Sequence, residues 1–252
     1  MRLKKGFTLA EILIVLMVIG ALATMTIPSL MKGVTEAQFK TGYRKALNAL
    51  INLTVMEKLS GNLPSTTSAE GAGKLFDILS ASLSVKAYVP LSKNTLATAG
   101  TGTTVSVDDY DTARPSDTKD NQNNTVSRAQ NWIVTEDNFA YLVAQTSNTT
   151  KCETKIELNA TQGQITTEES SAAKLTSGKT NDTLASKACY VIYVDVNGLS
   201  SGPNTVIQNT ILSTKKVPAI TDDTFPVYVA LDGATSGNQK TTITGRIAAD
   251  LK

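Results

Sequence analysis

The N-terminus of this 252-residue chain begins with a short basic leader, 1–6, followed by an apolar segment in which Glu11 is the only charged residue. The segment from residue 7 to residue 25 holds 19 residues (25 − 7 + 1). A helix needs about 20 mostly apolar residues to cross a bilayer, so this segment is long enough to span one. The basic leader would stay on the cytoplasmic side, with the rest of the chain outside.

A cleaved secretory signal peptide is the ordinary interpretation of a basic start followed by an apolar stretch. Such a stretch has about 7–15 residues and ends in a small-residue cleavage site. Here the apolar stretch is longer, and residues 21–24 match such a site only loosely. The sequence therefore favours a membrane segment that the mature chain retains.

Glu11 is an unusual residue in such a segment, since a carboxylate costs about 2.5–3.5 kcal/mol at the bilayer centre. A position close to the headgroups would spare Glu11 most of this cost. Alternatively, Glu11 pairs with a positive charge. Cleavage of the chain before Phe7 would expose a new α-amine, which could meet Glu11 of a neighbouring subunit.

These residues resemble the N-terminus of the type IV pilin family, which includes the pseudopilins of type II secretion. The resemblance is carried by Lys4-Lys5-Gly6 followed by Phe7-Thr8-Leu9-Ala10-Glu11 and the apolar run. It implies cleavage between Gly6 and Phe7 by a prepilin peptidase, methylation of the Phe7 amine and an assembly role for Glu11. Other pilin or pseudopilin subunits and an inner-membrane assembly platform are the implied partners.

Gly20 and Pro28 also lie where the family has helix-weakening residues. Proline lacks the backbone donor of a helix, and glycine costs about 1 kcal/mol relative to alanine. The resemblance implies that residues 20–28 loosen when the subunit moves from bilayer to filament. A simple kink in an anchored helix is the alternative.

The fold class predicted from the sequence is α+β, with one long helix and an antiparallel sheet. Beyond Pro28 the apolar residues recur at steps of three and four as far as Leu59, which is typical of a one-faced helix. A continuous helix from Phe7 to Leu59 would be about 80 Å long. The resemblance implies a pilin-like architecture, in which this helix packs on the sheet of a globular head.

We therefore divide the chain into a leader, a helix and a head, over residues 1–6, 7–60 and 61–252, with 7–27 as the membrane span. Within the head we expect a helix over 69–83 and a long, poorly ordered loop over 92–128 with one short strand near 103–107. Alternation of apolar residues predicts strands at 132–134, 139–145, 188–196, 226–231 and 241–247.

Composition argues against several classes of function. The chain has no histidine, which removes the commonest general base and transition-metal ligand. It has no glycine-rich phosphate loop after a strand, and no carboxylate pair stands out. With 24 basic and 22 acidic residues, it shows no basic cluster for nucleic acid. We therefore expect a protein that is not an enzyme and needs no cofactor.

The two cysteines, Cys152 and Cys189, predict a disulfide in an exported chain. The loop between them would hold 38 residues (189 − 152 + 1). The chain-entropy model gives about 4 kcal/mol of stabilisation for such a loop. Two buried free thiols are the alternative.

A calcium site is a second hypothesis, at the end of the predicted strand over 188–196. Asp195 and Asn197 precede Gly198, and Asp222 and Asp223 follow later in the chain. Carboxylate and amide oxygens on a turn suit calcium. An Asn-Gly hairpin turn without an ion is the alternative. If an ion binds, its ligands would be Asp195, Asn197 and one of Asp222 or Asp223.

The resemblance of the N-terminus, together with the unusual position of Glu11, implies a minor pilin or pseudopilin. It would sit in the bacterial inner membrane with its head outside the cytoplasm, then enter a periplasmic or cell-surface filament. A filament-tip adhesin or a DNA-uptake pilin is one alternative, and a membrane-anchored binding protein is another. The sequence does not distinguish secretion, adhesion, motility and uptake.

Overall fold

A computed structural model describes most of the chain outside its N-terminus and several internal segments. The described residues are 8–92, 104–119, 125–145, 188–207, 217, 219–236 and 243–249, with the backbone alone for 25, 28–32, 118–119 and 125–126. The chain forms two compact units, residues 1–38 and 39–252.

The first unit contains the beginning of helix α1 (Leu9–Leu59), which runs without interruption through Gly20 and Pro28. Its large apolar side chains are exposed, from 47% for Ile12 to 81% for Leu9. Within the described residues, no helix is both long and apolar enough to cross a membrane.

The second unit is built on a six-stranded antiparallel sheet. In spatial order, its strands are β1 (Val85–Pro90), β4 (Asn131–Thr135), β5 (Ala140–Gln145), β6 (Tyr190–Asp195), β7 (Thr224–Ala230) and β8 (Gly233–Thr235). A separate pair is formed by β2 (Thr118–Lys119) and β3 (Thr125–Val126). Strands that follow one another in sequence are therefore neighbours in the large sheet, once β2 and β3 are set aside.

One face of this sheet is covered by the second part of α1. Its buried residues recur at helical spacing: Phe39, Tyr43, Ala46, Leu47, Leu50 and Leu53. The Tyr43 ring stacks on Phe225 of β7 at 4.7 Å between centroids. Helix α2 (Ala69–Ser82), capped by Ser68, adds Leu75, Phe76 and Leu79 to the same core.

Loops cover the opposite face of the sheet. Val105, Leu199 and Val206 pack there against Trp132, Tyr193 and other strand residues. The Val105 N–H donates to the Leu199 carbonyl at 2.9 Å, which joins two of these loops. Because both faces are covered, every residue of β6 and β7 is buried.

Both outer strands of the sheet make hydrogen bonds away from the sheet. Tyr88 of β1 exchanges two backbone hydrogen bonds with Asp111, at 2.6 and 2.8 Å. The Ala234 N–H of β8 donates to the buried hydroxyl of Thr54 at 2.8 Å. Thr54 in turn donates to the Leu50 carbonyl at 2.8 Å, so α1 holds β8 through one side chain.

An ionic cluster joins α2 to the segment that follows β1. The Arg128 guanidinium makes two hydrogen bonds of 2.9 Å to Asp77 of α2 and one of 2.7 Å to Asp117. Its backbone N–H donates to Asp117 at 2.8 Å, and Arg114 also pairs with Asp77. Burial opposes ionisation of Asp77, but the two guanidinium groups outweigh it and lower the Asp77 pKa. The cluster thus orders part of the region 92–128 that we expected to be a poorly ordered loop.

The α+β prediction is confirmed, together with a helix over 69–83 and the strands at 132–134, 139–145, 188–196 and 226–231. The strand predicted at 241–247 is wrong, because helix α3 (Ile243–Ala248) occupies the described part of it. The β-branched residues there favour a strand locally, but tertiary contacts override that preference. Ile243 and Ile247 are buried one helical turn apart, and Arg44 donates to the Ile247 carbonyl at 2.6 Å.

The short strand predicted near 103–107 is also wrong in the residues that the structure describes. A 3-10 helix spans Val107–Asp109, and the Ser106 hydroxyl caps it by accepting from the Asp108 N–H. Serine and aspartate in sequence favour such a local cap over strand pairing. Strands β1, β2, β3 and β8 were not predicted from the sequence.

We predict that Arg128→Gln lowers the free energy of unfolding by about 1–3 kcal/mol at pH 7, because charge-assisted hydrogen bonds to two carboxylates are lost. Binding of Arg128 also lowers the Asp117 pKa below its ordinary value. A carboxyl with a lowered pKa stabilises the fold above its ordinary pKa of about 4, and this contribution disappears as pH falls through the lowered value. Urea unfolding at pH 7 and pH 3 measures both effects.

The matched control is Lys74→Gln, which removes the exposed pair of Lys74 with Glu70 on the same helix. Such pairs contribute about 0.5 kcal/mol or less. An Arg128→Gln variant as stable as the Lys74→Gln variant at pH 7 would show that the cluster does not stabilise the head.

Candidate functional site

The start of α1 is the first candidate site, because Glu11 lies there. Thr8 precedes the helix, and its N–H and hydroxyl both donate to Glu11 Oε2 at 2.8 Å. The Glu11 N–H donates to the Thr8 hydroxyl at 3.3 Å. Threonine before a helix and glutamate at its third position form a capping box, in which each side chain binds the other residue's backbone N–H.

The capping box changes the interpretation of Glu11. Its carboxylate is already hydrogen-bonded within its own chain, so it does not depend on a neighbour for a donor. Both bonds end on Oε2, and Oε1 accepts none from the described residues. The role of Thr8 was not predicted, although the spacing of threonine and glutamate is visible in the sequence. Gly6 and Phe7 lie outside the described residues.

Gly20 and Pro28 are both interior residues of α1. Apart from its chain neighbours and the nearby backbone of its own helix, a Cβ atom added at Gly20 would meet no described atom within 4 Å. Gly20 is therefore not required by a close contact in the described structure. Loosening of residues 20–28 stays a prediction.

A pair of buried carboxylates is the second candidate site. Asp195 ends β6 and lies opposite Thr224, the first residue of β7, while Asp223 precedes that threonine. Both aspartates have no exposed surface. The Thr224 hydroxyl lies 3.4 Å from Asp195 Oδ2 and 3.4 Å from Asp223 Oδ1, so it joins the two carboxylates. Pairing of two strands thus brings together residues that are 28 positions apart (223 − 195).

Backbone N–H groups bind both carboxylates. Asp195 Oδ1 accepts from Asn197 at 3.1 Å and from Gly198 at 2.7 Å. The two oxygens of Asp223 accept from Asn204 at 2.9 Å and from Thr205 at 3.0 Å. The carboxylates therefore organise two loops, one after β6 and one before β7.

Burial raises the pKa of Asp195 well above its ordinary value, and the neighbouring Asp223 carboxylate raises it further. Burial likewise raises the pKa of Asp223. Backbone N–H groups oppose both shifts. No lysine or arginine forms an ion pair with either aspartate in the part of the chain that the structure describes. Two buried carboxylates without a cationic partner favour binding of a proton or a cation, because buried charge without compensation is costly.

Asn197 contacts this pair, whereas the hydrogen bond recorded for Asp222 goes to a neighbouring threonine. The Asn197 side chain hydrogen-bonds Asp223, and its buried Oδ1 has no hydrogen-bond donor among the described residues. Asp222 instead accepts from the Thr205 hydroxyl at 2.7 Å. The described residues hold no cluster of three or more acidic, histidine or cysteine side chains that suits a metal. Two carboxylates and one amide oxygen nevertheless fit a hard cation that takes its other ligands from backbone or water.

The loop after β6 is also joined to the turn between β4 and β5. The Asn138 side chain donates to the Asn197 carbonyl at 2.8 Å. Gly198 has a φ of +85°, and a Cβ atom there would lie 2.4 Å from Asn138 Nδ2. Only glycine fits this conformation and this close approach.

Cys189 precedes β6 and is fully buried. Cys152 lies outside the described residues. The predicted disulfide between the two therefore stays a prediction.

Comparison with protein families identifies the N-terminus. Residues 1–27 match the prokaryotic N-terminal methylation motif, which is the signature of type IV pilins. No curated protein and no solved structure is recognisably similar to the chain. The motif indicates a structural subunit rather than an enzyme family, and it implies prepilin peptidase processing and assembly with other pilin subunits. The chain thus carries the N-terminal signature of a pilin-like or pseudopilin precursor.

Proposed function

We propose that this protein is a structural subunit of a membrane-assembled filament, either a minor pilin of a type IV pilus or a pseudopilin of a type II secretion system. The observation that carries this proposal is the methylation motif at residues 1–27. It is supported by the head, whose α1 and sheet agree with the α+β architecture that the resemblance implies. The peptidase would cleave between Gly6 and Phe7.

The exposed apolar surface of α1 supports the same function. From Leu9 to Ile27, eleven large apolar side chains are each 47% exposed or more: Leu9, Ile12, Leu13, Ile14, Val15, Leu16, Met17, Val18, Ile19, Leu22 and Ile27. Apolar surface of this extent is stable only when another apolar phase covers it. In the proposed function, lipid covers it first, with the head outside the cytoplasm. Helices of neighbouring subunits then cover it after the assembly platform has moved the subunit into the filament.

Glu11 would act in assembly through the oxygen that the capping box leaves available. Thr8 holds the carboxylate at the start of α1 through Oε2. Oε1 would then accept a hydrogen bond from the α-amine of Phe7 on the adjoining subunit. In this proposal Thr8 positions Glu11, and the pairing of opposite charges selects the register between subunits.

A filament-tip adhesin, a DNA-uptake pilin and a membrane-anchored binding protein are the alternatives. The net charge of +2 gives no support to DNA as a ligand. Filament assembly gives both the apolar segment and Glu11 a defined role, whereas a membrane-anchored binding protein gives Glu11 none. We therefore favour a filament component.

We further propose that the head binds a calcium ion between β6 and β7. Asp195, Asp223 and the Asn197 amide oxygen would be its side-chain ligands, and the ion would compensate the two buried charges. Asp222 would contribute indirectly, by holding Thr205 in the loop that donates to Asp223. The ion would stabilise the head and take no part in a reaction.

We predict that Glu11→Gln lowers incorporation into filaments about tenfold or more, because the amide keeps the capping hydrogen bonds but removes the charge. Thr8→Val removes the cap at a cost of about 0.5–2 kcal/mol, and Thr8→Ser restores it. Quantitative immunoblotting of sheared filaments measures incorporation. Mass spectrometry of the same material should find a chain that begins at a methylated Phe7.

Normal incorporation of the Glu11→Gln variant would remove the charge-pairing role of Glu11. A filament subunit that still carries residues 1–6, in cells with an active prepilin peptidase, would contradict the proposed processing. Circular dichroism of each variant serves as the control that the head remains folded.

We predict that calcium raises the thermal unfolding midpoint of the full chain in detergent. At a hundredfold excess over its Kd, an ion that binds only the folded state adds about 2.7 kcal/mol. Asp223→Asn should abolish this response, whereas the neighbouring Asp222→Asn should retain it. Differential scanning calorimetry in calcium and in a chelator gives the measurement, and equal midpoints of the wild-type chain in both would dismiss the ion.

A further inference from the structure

A cleft on the head lies outside both candidate sites. It has a volume of about 360 Å³ and is bounded by α1, by the residues that end α2 and by the turn between β4 and β5. Lys45 and Ala49 line it from α1, and both are exposed. Leu83, Phe139 and Tyr141 supply apolar surface at its other walls. It therefore offers apolar contact beside charged groups.

The cleft already accommodates one ammonium group. The Lys45 Nζ atom lies 2.8 Å from Asp137 Oδ2 and 5.2 Å from the centroid of the Phe139 ring. A cation over an aromatic face is attracted by the ring as well as by the carboxylate. The side chains of Lys45 and Asp137 remain 64% and 44% exposed, so their pairing leaves the mouth of the cleft open to solvent.

The charge of the cleft is negative despite Lys45. The cleft is lined by one lysine and by two carboxylates, Glu136 and Asp137. The Glu136 side chain forms no ion pair with the described residues, and it is exposed. The C-terminal end of α2 adds negative partial charge, and its last turn has no basic residue. Charge complementarity therefore selects a cationic occupant.

We propose that this cleft receives a lysine or arginine side chain from a neighbouring filament subunit. The cationic group of that side chain would pair with Glu136 at the rim, while its methylene stem packs on Phe139 and Leu83, as such stems do on apolar surface. Acidic groups are repelled there by Glu136. The inference rests on the proposed filament function, and it adds a contact between heads to the contacts between helices.

The experiment places a photo-crosslinking benzoylphenylalanine at Ala49 of the full chain in filament-producing cells. We expect a crosslink to another subunit, within a few residues of a lysine or arginine, as mapped by mass spectrometry. Glu136→Lys should lower the crosslink yield about tenfold or more, and Glu136→Gln should lower it less. Replacing the mapped basic residue by glutamate should restore the yield in the Glu136→Lys chain.

Glu70→Lys is the matched control, because it makes the same change of charge at an exposed carboxylate of α2 that does not line the cleft. It should leave the yield unchanged, and circular dichroism should show that both variants fold. Three results would overturn the proposal. They are a crosslink confined to one chain, a mapped contact without a basic residue, or an equal loss of crosslink yield in both charge-reversal variants.

Leader removal and filament incorporation are measured in the same cells. A subunit that is processed and incorporated but fails the crosslinking test overturns this inference alone. A subunit that never enters filaments overturns both the proposed function and this contact.

Discussion

The contact between α1 and one face of the sheet is the interaction on which the head depends. The apolar stripe from Phe39 to Leu53 provides the only long helical surface among the described residues that covers this face. Burial of each large apolar side chain stabilises the fold by about 1.5–3 kcal/mol. Because the same helix begins with the pilin signature, the part that would assemble and the part that organises the head are covalently one element.

Sequence patterns predicted the elements that local periodicity determines. Helical spacing predicted α1 and α2, and β-branched and aromatic runs predicted β4 to β7. The same reasoning failed at α3, where the threonines and isoleucines favour a strand but contacts with Arg44 and Ser236 stabilise a helix. It also missed β1, whose apolar residues follow α2 after only two intervening positions and resemble a continuation of it.

The candidate sites were predictable to the extent that their residues are close in sequence. Asp195 and Asn197 are two positions apart, so their shared turn was visible. The approach of Asp223 depends on the pairing of β6 with β7, and the separation of Asp222 depends on one hydroxyl of Thr205. The Arg128 cluster joins residues 51 positions apart, and no local pattern marks its members.

The outer strands of the sheet have a consequence for how copies of the head meet. The backbone of Tyr88 on β1 is engaged by Asp111, and the Ala234 amide on β8 is engaged by Thr54. An edge whose amides and carbonyls are occupied is a poor template for adding a further strand. The backbone groups of Tyr88 and Ala234 are therefore not available to a further strand, so an association of two heads at these positions has to use side-chain surfaces.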